Sequence, residues 1–317
     1  MASILAIPSL RPILRVARQA LTAVCAGLLA AAFPGMPPAL AGAADSDIVG
    51  AMEYYQVREK ETLLDIARLH DLGFIELVAA NPGIDPWLPG MGRTVMLPKE
   101  HLLPDAPRQG IVINLPELRL YYFGDGGRPV HTYPLGIGRL GRETPLGSTS
   151  VVEKRKDPVW VPPQSIRAER PELPPAVPPG PDNPLGAHAL NLGWPSYVIH
   201  GTNKPYGIGR RVSSGCIRMY PEDIESLFEI VEIGTPVTVV DQSMKLGWSN
   251  GELFLEIHPD VAEGDELEAR GWFTPAPIPD LKERVMEAAR KDASRIYWPS
   301  VYRAAQAKRG FPVRITH

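Results

Sequence analysis

The chain has 317 residues, long enough for two or more domains and a sizeable core. A net charge of -3 with 22% charged residues argues against a nucleic-acid binder, which would neutralise phosphates with a basic surface. Proline is the outlier at 35 residues, about twice ordinary usage, and it predicts turns, sheet edges and ordered loops rather than long helices.

The first element reads as an address. Arg11, Arg15 and Arg18 precede an uncharged run from Ala20 to Phe33, too short for the roughly 20 residues of a spanning helix. Ala39-Leu40-Ala41 then offers a small-x-small cleavage site. Residues 1–41 are expected to be a cleaved secretory signal, leaving no membrane span and a net charge of -6. Cys25 leaves with it, so Cys216 is the one cysteine of the exported chain. A lone thiol in an oxidising compartment makes no internal disulfide. It is an intermolecular link, a reactive group or an inert buried residue, and its neighbours must decide.

Residues 53–98 predict a small β-α-α-β module. Tyr54 to Val57 alternates like a strand, and Thr62 caps a helix whose stripe is Leu63, Ile66 and Ala67. Phe74 to Asn81 reads as a second short helix ended by Pro82-Gly83, and Thr94 to Leu97 as a second strand. With Tyr55-x-Val57, Thr62-Leu63, Ile66-Ala67, Leu77, Ala80-Asn81-Pro82, Pro89, Gly92 and Val95-x-Leu97-Pro98, the unit resembles a LysM module. That resemblance implies contact with N-acetylglucosamine-containing glycan; a structural spacer is the plainer reading.

Leu103 to Gly110 reads as a linker. Beyond it, Ile111–Asn114, Leu118–Tyr122, Val130–Pro134, Ser148–Lys154, Ser196–His200 and Val237–Val240 are short strand-like runs. Gly124-Asp125-Gly126-Gly127 signals a hairpin. The fold class expected is mainly β, a sandwich or barrel-like domain over 110–241 with one or two short helices. The clear helix starts at Pro221 and puts Ile224, Leu227, Phe228 and Val231 on one face. Ten prolines fall within 157–184. A long loop inside a compact domain is usually functional, so this segment is expected to be an ordered lid anchored by Trp160, Ile166 and Leu173. Residues 242–317 are expected to be a mixed extension with a strand at Leu253–Ile257 and helices at Leu281–Ala289 and Ala304–Ala307; its role is not legible.

The chemistry is expected at His200-Gly201-Thr202 and Ser213-Ser214-Gly215-Cys216-Ile217-Arg218. A cysteine attacks as thiolate and is mostly protonated near neutrality; a nearby imidazole can take its proton. His200 ends an apolar strand, and the 15 intervening residues suffice for a loop that returns Cys216 beside it. Gly215 leaves room for substrate, and the Gly215 and Cys216 amides are candidates to face an oxyanion. Arg210, Arg211 and Arg218 are placed to lower the thiol pKa and bind a carboxylate. Two ligands are too few for a zinc site, so no metal and no cofactor is expected.

This segment is similar to the signature of the L,D-transpeptidases, cysteine enzymes of the bacterial cell wall with a YkuD-type catalytic domain. The likeness extends to Gly136–Arg139, Glu143–Gly147, Asp157-Pro158, Pro181–Gly186 and Tyr220–Ile224. Many relatives carry histidine where Ser214 stands, so a second imidazole has no counterpart here. The resemblance implies a periplasmic enzyme in which Cys216 attacks the diaminopimelate–D-alanine bond of a tetrapeptide stem and His200 is base, then acid. Gly201 orients the imidazole, Ser213, Ser214 and Gly215 support the site, and Arg218, Arg211 and Tyr206 bind substrate. The acceptor it leaves open: diaminopimelate, a lysine of an outer-membrane lipoprotein, or water, the last making a carboxypeptidase. A non-catalytic peptidoglycan-binding protein is the reading of a different class.

Overall fold

The structure, a computed structural model, describes residues 46–124 and 130–317. The expected signal at 1–41 and residues 125–127 of the expected hairpin turn lie outside the described residues.

The first described strand, β1 (Ile48–Gly50), leads into the β-α-α-β unit: β2 (Glu53–Gln56), α1 (Leu63–Leu69), α2 (Phe74–Ala80) and β3 (Thr94–Leu97), with β2 and β3 antiparallel. β4 (Glu100–Leu102) then returns to pair with β1. The capping arithmetic holds: the Thr62 side chain accepts from Asp65 N–H, and Asp65 returns to Thr62 N–H at 3.0 Å.

The central sheet is built from β5 (Gly110–Asn114), β6 (Arg119–Phe123), β7 (Val130–Pro134), β9 (Gly147–Lys156), β10 (His188–Leu192), β11 (Val198–His200), β13 (Ile217–Arg218) and β14 (Pro236–Val240). The short pair β8 (Ile137–Gly138) and β12 (Arg211–Ser213) stands beside it. The eight strands form one curled sheet, ordered β13-β11-β10-β9-β14-β5-β6-β7. The mainly β fold is therefore as expected. Two helices accompany this region: α3 (Gln164–Glu169) and α4 (Pro221–Ile230). The pattern in β10 was not legible as a strand. His-Ala-Leu-Asn-Leu lacks β-branched residues, and it is extended because β9 and β11 pair with both of its edges.

The C-terminal part adds a three-stranded sheet, β15 (Met244–Ser249), β16 (Glu252–Ile257) and β17 (Val313–Arg314), with α5 (Val261–Arg270), α6 (Leu281–Ala289) and α7 (Trp298–Ala307). α5 went unread although Asp260 and Glu263 form a capping box at its start.

The parts are joined by shared interior. One apolar core contains Leu63, Ile66, Phe74 and Leu77 of the β-α-α-β unit together with Ile113, Leu120, Tyr133, Ile224 and Leu227. Where β4, β6 and β15–β16 meet, the interior is ionic instead. Lys245 Nζ lies 2.8 Å from Glu117 and 2.7 Å from Glu256, and His258 Nε2 lies 2.6 Å from Glu256. All four side chains are nearly or fully buried. Burial alone would push the Glu117 carboxyl up, but Lys245 and His258 pull it down to about 2.

Removing the ammonium would leave two buried carboxylates without it. Lys245→Met should destabilise the protein by about 3–5 kcal/mol in urea unfolding near neutral pH; a loss under about 1 kcal/mol would show that the network does not hold the C-terminal part in place.

Candidate active site

β11 and β13 pair in parallel, with Ile199 opposite Ile217 and His200 opposite Arg218. Ile199 and Ile217 are both fully buried in the core. Side chains alternate along a strand, so Val198, His200 and Arg218 share the other face, and Cys216, one residue before β13, joins them. The register therefore places the thiol and the imidazole on one face of the strand pair, with Cys216 opposite Val198, two positions before His200.

Each partner is held from its own side. His200 Nδ1 donates to the Gly201 carbonyl at 2.5 Å, which assigns the proton to Nδ1 and leaves Nε2 as the basic nitrogen. The Cys216 thiol donates to the Ser196 carbonyl at 3.5 Å. Ser213 Oγ donates to the Cys216 carbonyl at 2.5 Å and accepts from Gly215 N–H at 3.1 Å. Gly215 N–H is therefore occupied, and the Cys216 amide is the one of that pair left to meet an oxyanion. Thr144 Oγ1 donates to the Gly215 carbonyl at 2.9 Å. Gly215 has φ +108°, a value that excludes most side chains, and a Cβ there would come within 3.1 Å of the Tyr197 ring. Gly136 and Arg218 exchange both backbone hydrogen bonds, at 2.7 and 2.8 Å.

A family described as the L,D-transpeptidase catalytic domain (YkuD) matches residues 108–239. The chain is 41% identical to the probable L,D-transpeptidase YcfS of Escherichia coli, over 81% of this chain and 82% of that one. It is 37% identical to the probable L,D-transpeptidase ErfK/SrfK of Salmonella typhimurium, over 86% and 88%. To the probable L,D-transpeptidase YbiS of Escherichia coli it is 38% identical, over 78% and 87%. The chain belongs to the L,D-transpeptidase family.

The remaining expected site residues of this L,D-transpeptidase fall into three groups. Arg218 lies beside the thiol, half-buried, with its Nε lacking a partner. Ser214 and Tyr206 are exposed on the loops that lead to Cys216. Arg211 is not free: its guanidinium lies 3.2 Å from Asp265 of α5, while Arg210 Nε donates to Glu268 at 2.8 Å. The C-terminal extension thus grips the strand that runs into Cys216. The β-α-α-β unit supports the same loop. A Cβ on Gly209 would lie 2.0 Å from Phe74 N, so only glycine permits that approach. Ile75 N–H donates to the Gly209 carbonyl at 3.2 Å.

Segment 157–184 is fastened at its base by fully buried Asn183, which donates to the Pro158 carbonyl at 2.7 Å and accepts from Leu185 N–H at 2.9 Å. Trp160 and Val177 bond each other's backbone in an antiparallel bridge. Trp160, Ile166 and Leu173 are half-buried. At the far end, Glu169 of α3 receives Arg139 at 2.7 Å and Arg142 at 2.6 Å. These arginines sit just before Thr144, which holds Gly215. Glu169, Asp265 and Glu268 were not anticipated, and Asn183 entered only within the Pro181–Gly186 likeness, with no role. Each is an ordinary polar residue in the sequence, and its partner is distant along the chain or set by a loop.

Burial governs the electrostatics. It lowers the His200 pKa from 6.5 to about 4; the Arg218 charge adds to this, and the Gly201 and Leu185 carbonyls oppose it. Burial also pushes the Cys216 thiol up, against the pull of Val198 N–H and Arg218. The resting pair is thiol and neutral imidazole rather than an ion pair. Among the described residues, His101, Glu117 and Glu256 are spaced for a metal ion, but the Lys245 ammonium already bridges both carboxylates.

The depressed His200 pKa has a stability consequence. The unfolded chain takes the proton first, so stability present above pH 6.5 is lost as the pH falls toward 4, by about 2–3 kcal/mol. His200→Gln should flatten that loss in urea unfolding compared at pH 7 and 4.5; an unchanged slope would contradict the assignment. For segment 157–184, Glu169→Ala should speed proteolytic cleavage within it while thermal unfolding barely moves, because exposed ion pairs contribute about 0–1 kcal/mol. Unchanged cleavage would mean that Glu169 does not restrain the segment.

Proposed function

We propose that the chain is a periplasmic cysteine acyltransferase of peptidoglycan, and the observation that carries the reading is the shared face of Cys216 and His200 across β11 and β13. His200 Nε2 takes the thiol proton as Sγ attacks the carbonyl carbon of the diaminopimelate–D-alanine bond. Coupling proton transfer to attack suits a pair that rests neutral. The oxyanion forms toward the Cys216 N–H, with the Arg218 charge nearby. Collapse breaks the C–N bond, His200 returns the proton to the leaving amine, and D-alanine departs from a thioester. An amine acceptor then attacks the thioester, loses its proton to His200 and regenerates the thiol.

The acceptor decides the product. Diaminopimelate yields a 3→3 crosslink, a lipoprotein lysine a tether, and water a trimmed stem. No helix among the described residues is long and apolar enough to cross a membrane, in keeping with export through the sequence at 1–41. The β-α-α-β unit, read as LysM-like, would hold glycan strands near this chemistry. Exposed Trp87, Leu88 and Met91 on its long loop favour that role.

Incubation with a defined tetrapeptide stem, with and without an amine acceptor, followed by mass analysis, tests the proposal. Wild type should release D-alanine, and a carbapenem should leave an adduct at Cys216. Cys216→Ala should abolish both, and His200→Gln should slow release by about 10²–10⁴-fold. D-Alanine release by Cys216→Ala would overturn the mechanism. Release without an amine-linked product, even when amine is supplied, would favour the hydrolase.

A further inference from the structure

Arginines crowd the elements around the thiol, and most of them are engaged. Arg139 and Arg142 both reach Glu169, at 2.7 and 2.6 Å. Arg167 donates to the carbonyls of Pro162 and Pro175, at 3.0 and 2.6 Å. Arg210 and Arg211 are held by Glu268 and Asp265 of α5. Two guanidinium groups of this region have no hydrogen bond or ion pair among the described residues: Arg218 beside Cys216, and Arg170, the exposed residue that ends α3. Only Nε of Arg218 is sealed from solvent, so its two Nη groups are the accessible end.

A chain of contacts brings these two together. Gly136 exchanges backbone hydrogen bonds with Arg218. On the same loop, Arg139 N–H donates to the Ser213 carbonyl at 3.0 Å, and the Arg139 side chain reaches Glu169, the residue before Arg170. The closeness is also felt electrostatically. Burial lowers the Arg218 pKa, Cys216 opposes this, and the Arg170 charge lowers it further. Two like charges without an anion repel each other, and a carboxylate between them would replace that repulsion with two charge-assisted contacts.

The stem peptide carries such a group next to the reacting atoms. In the proposed reaction the bond that breaks joins diaminopimelate to D-alanine. Only the scissile nitrogen and the α-carbon separate the D-alanine carboxylate from the attacked carbonyl carbon. The other carboxylates of the stem lie several atoms farther away. We infer that Arg170 is a specificity-determining residue: with Arg218 it grips the free carboxylate of the departing D-alanine and selects stems that end in one. The inference rests on the acyl-transfer reading and deepens it by naming what holds the leaving group.

Kinetics of the intact protein on two stems test this: the tetrapeptide with a free terminal carboxylate, and the same peptide ending in D-alaninamide. Release of D-alanine or D-alaninamide is followed by mass analysis. Wild type should favour the free acid in kcat/KM by about tenfold or more, as expected for hydrogen bonds to a charged group. Arg170→Gln should bring the two stems to within about threefold of each other, chiefly by raising KM for the free acid. Arg170→Lys, which keeps the charge without the planar fork, should restore part of the preference. Equal use of both stems by wild type would overturn the inference and leave the acyl-transfer reading standing. So would an Arg170→Gln protein that slows both stems alike, since that marks a structural role. No release from either stem by wild type would remove the acyl-transfer reading, and this inference with it.

Discussion

A parallel pairing of two very short strands is the constraint on which this molecule depends. β13 is two residues long and β11 three, far too little to hold a register unaided. Yet the register of that pair puts the thiol and the imidazole on one face. The surroundings supply what the strands lack: the reciprocal backbone bonds between Gly136 and Arg218, the Ser213 hydroxyl under Cys216, and Thr144 on the Gly215 carbonyl. A slip of β13 by one residue would turn the Cys216 side chain away from the face that His200 occupies.

The same need explains why parts that look separable are packed together. The β-α-α-β unit shares a core with the central sheet and abuts the loop at Gly209. Its Arg68 pairs with Glu222 at the start of α4, at 2.9 Å through Nη2, and lies over the Tyr220 ring. The C-terminal extension holds Arg210 and Arg211 from α5. Fixing a loop from several elements lowers the freedom it must lose when substrate binds, which is the physical content of preorganisation.

Burial has a second effect on the pair. It disfavours charge on both partners, so His200 and Cys216 rest neutral. A pair so arranged does not carry a standing thiolate. The Gly201 carbonyl holds the proton on Nδ1 and leaves Nε2 as the basic nitrogen, which the proposed acyl transfer requires.

The residue pattern alone determined the β-rich class, the two helices of the β-α-α-β unit and the identity of the candidate thiol and imidazole. These rest on local rules: alternation, capping at Thr62, and one cysteine flanked by small and basic residues rather than apolar ones. Local rules did not reveal β10, which is a strand because of neighbours on both edges, nor the grip of α5 on Arg211. They did not indicate that Gly215 N–H is used by Ser213, or that burial would keep the imidazole neutral. Contacts such as Arg211–Asp265 join residues more than fifty positions apart, and desolvation depends on everything packed around a group. Both are properties of the assembled fold, and no stretch of chain encodes them by itself.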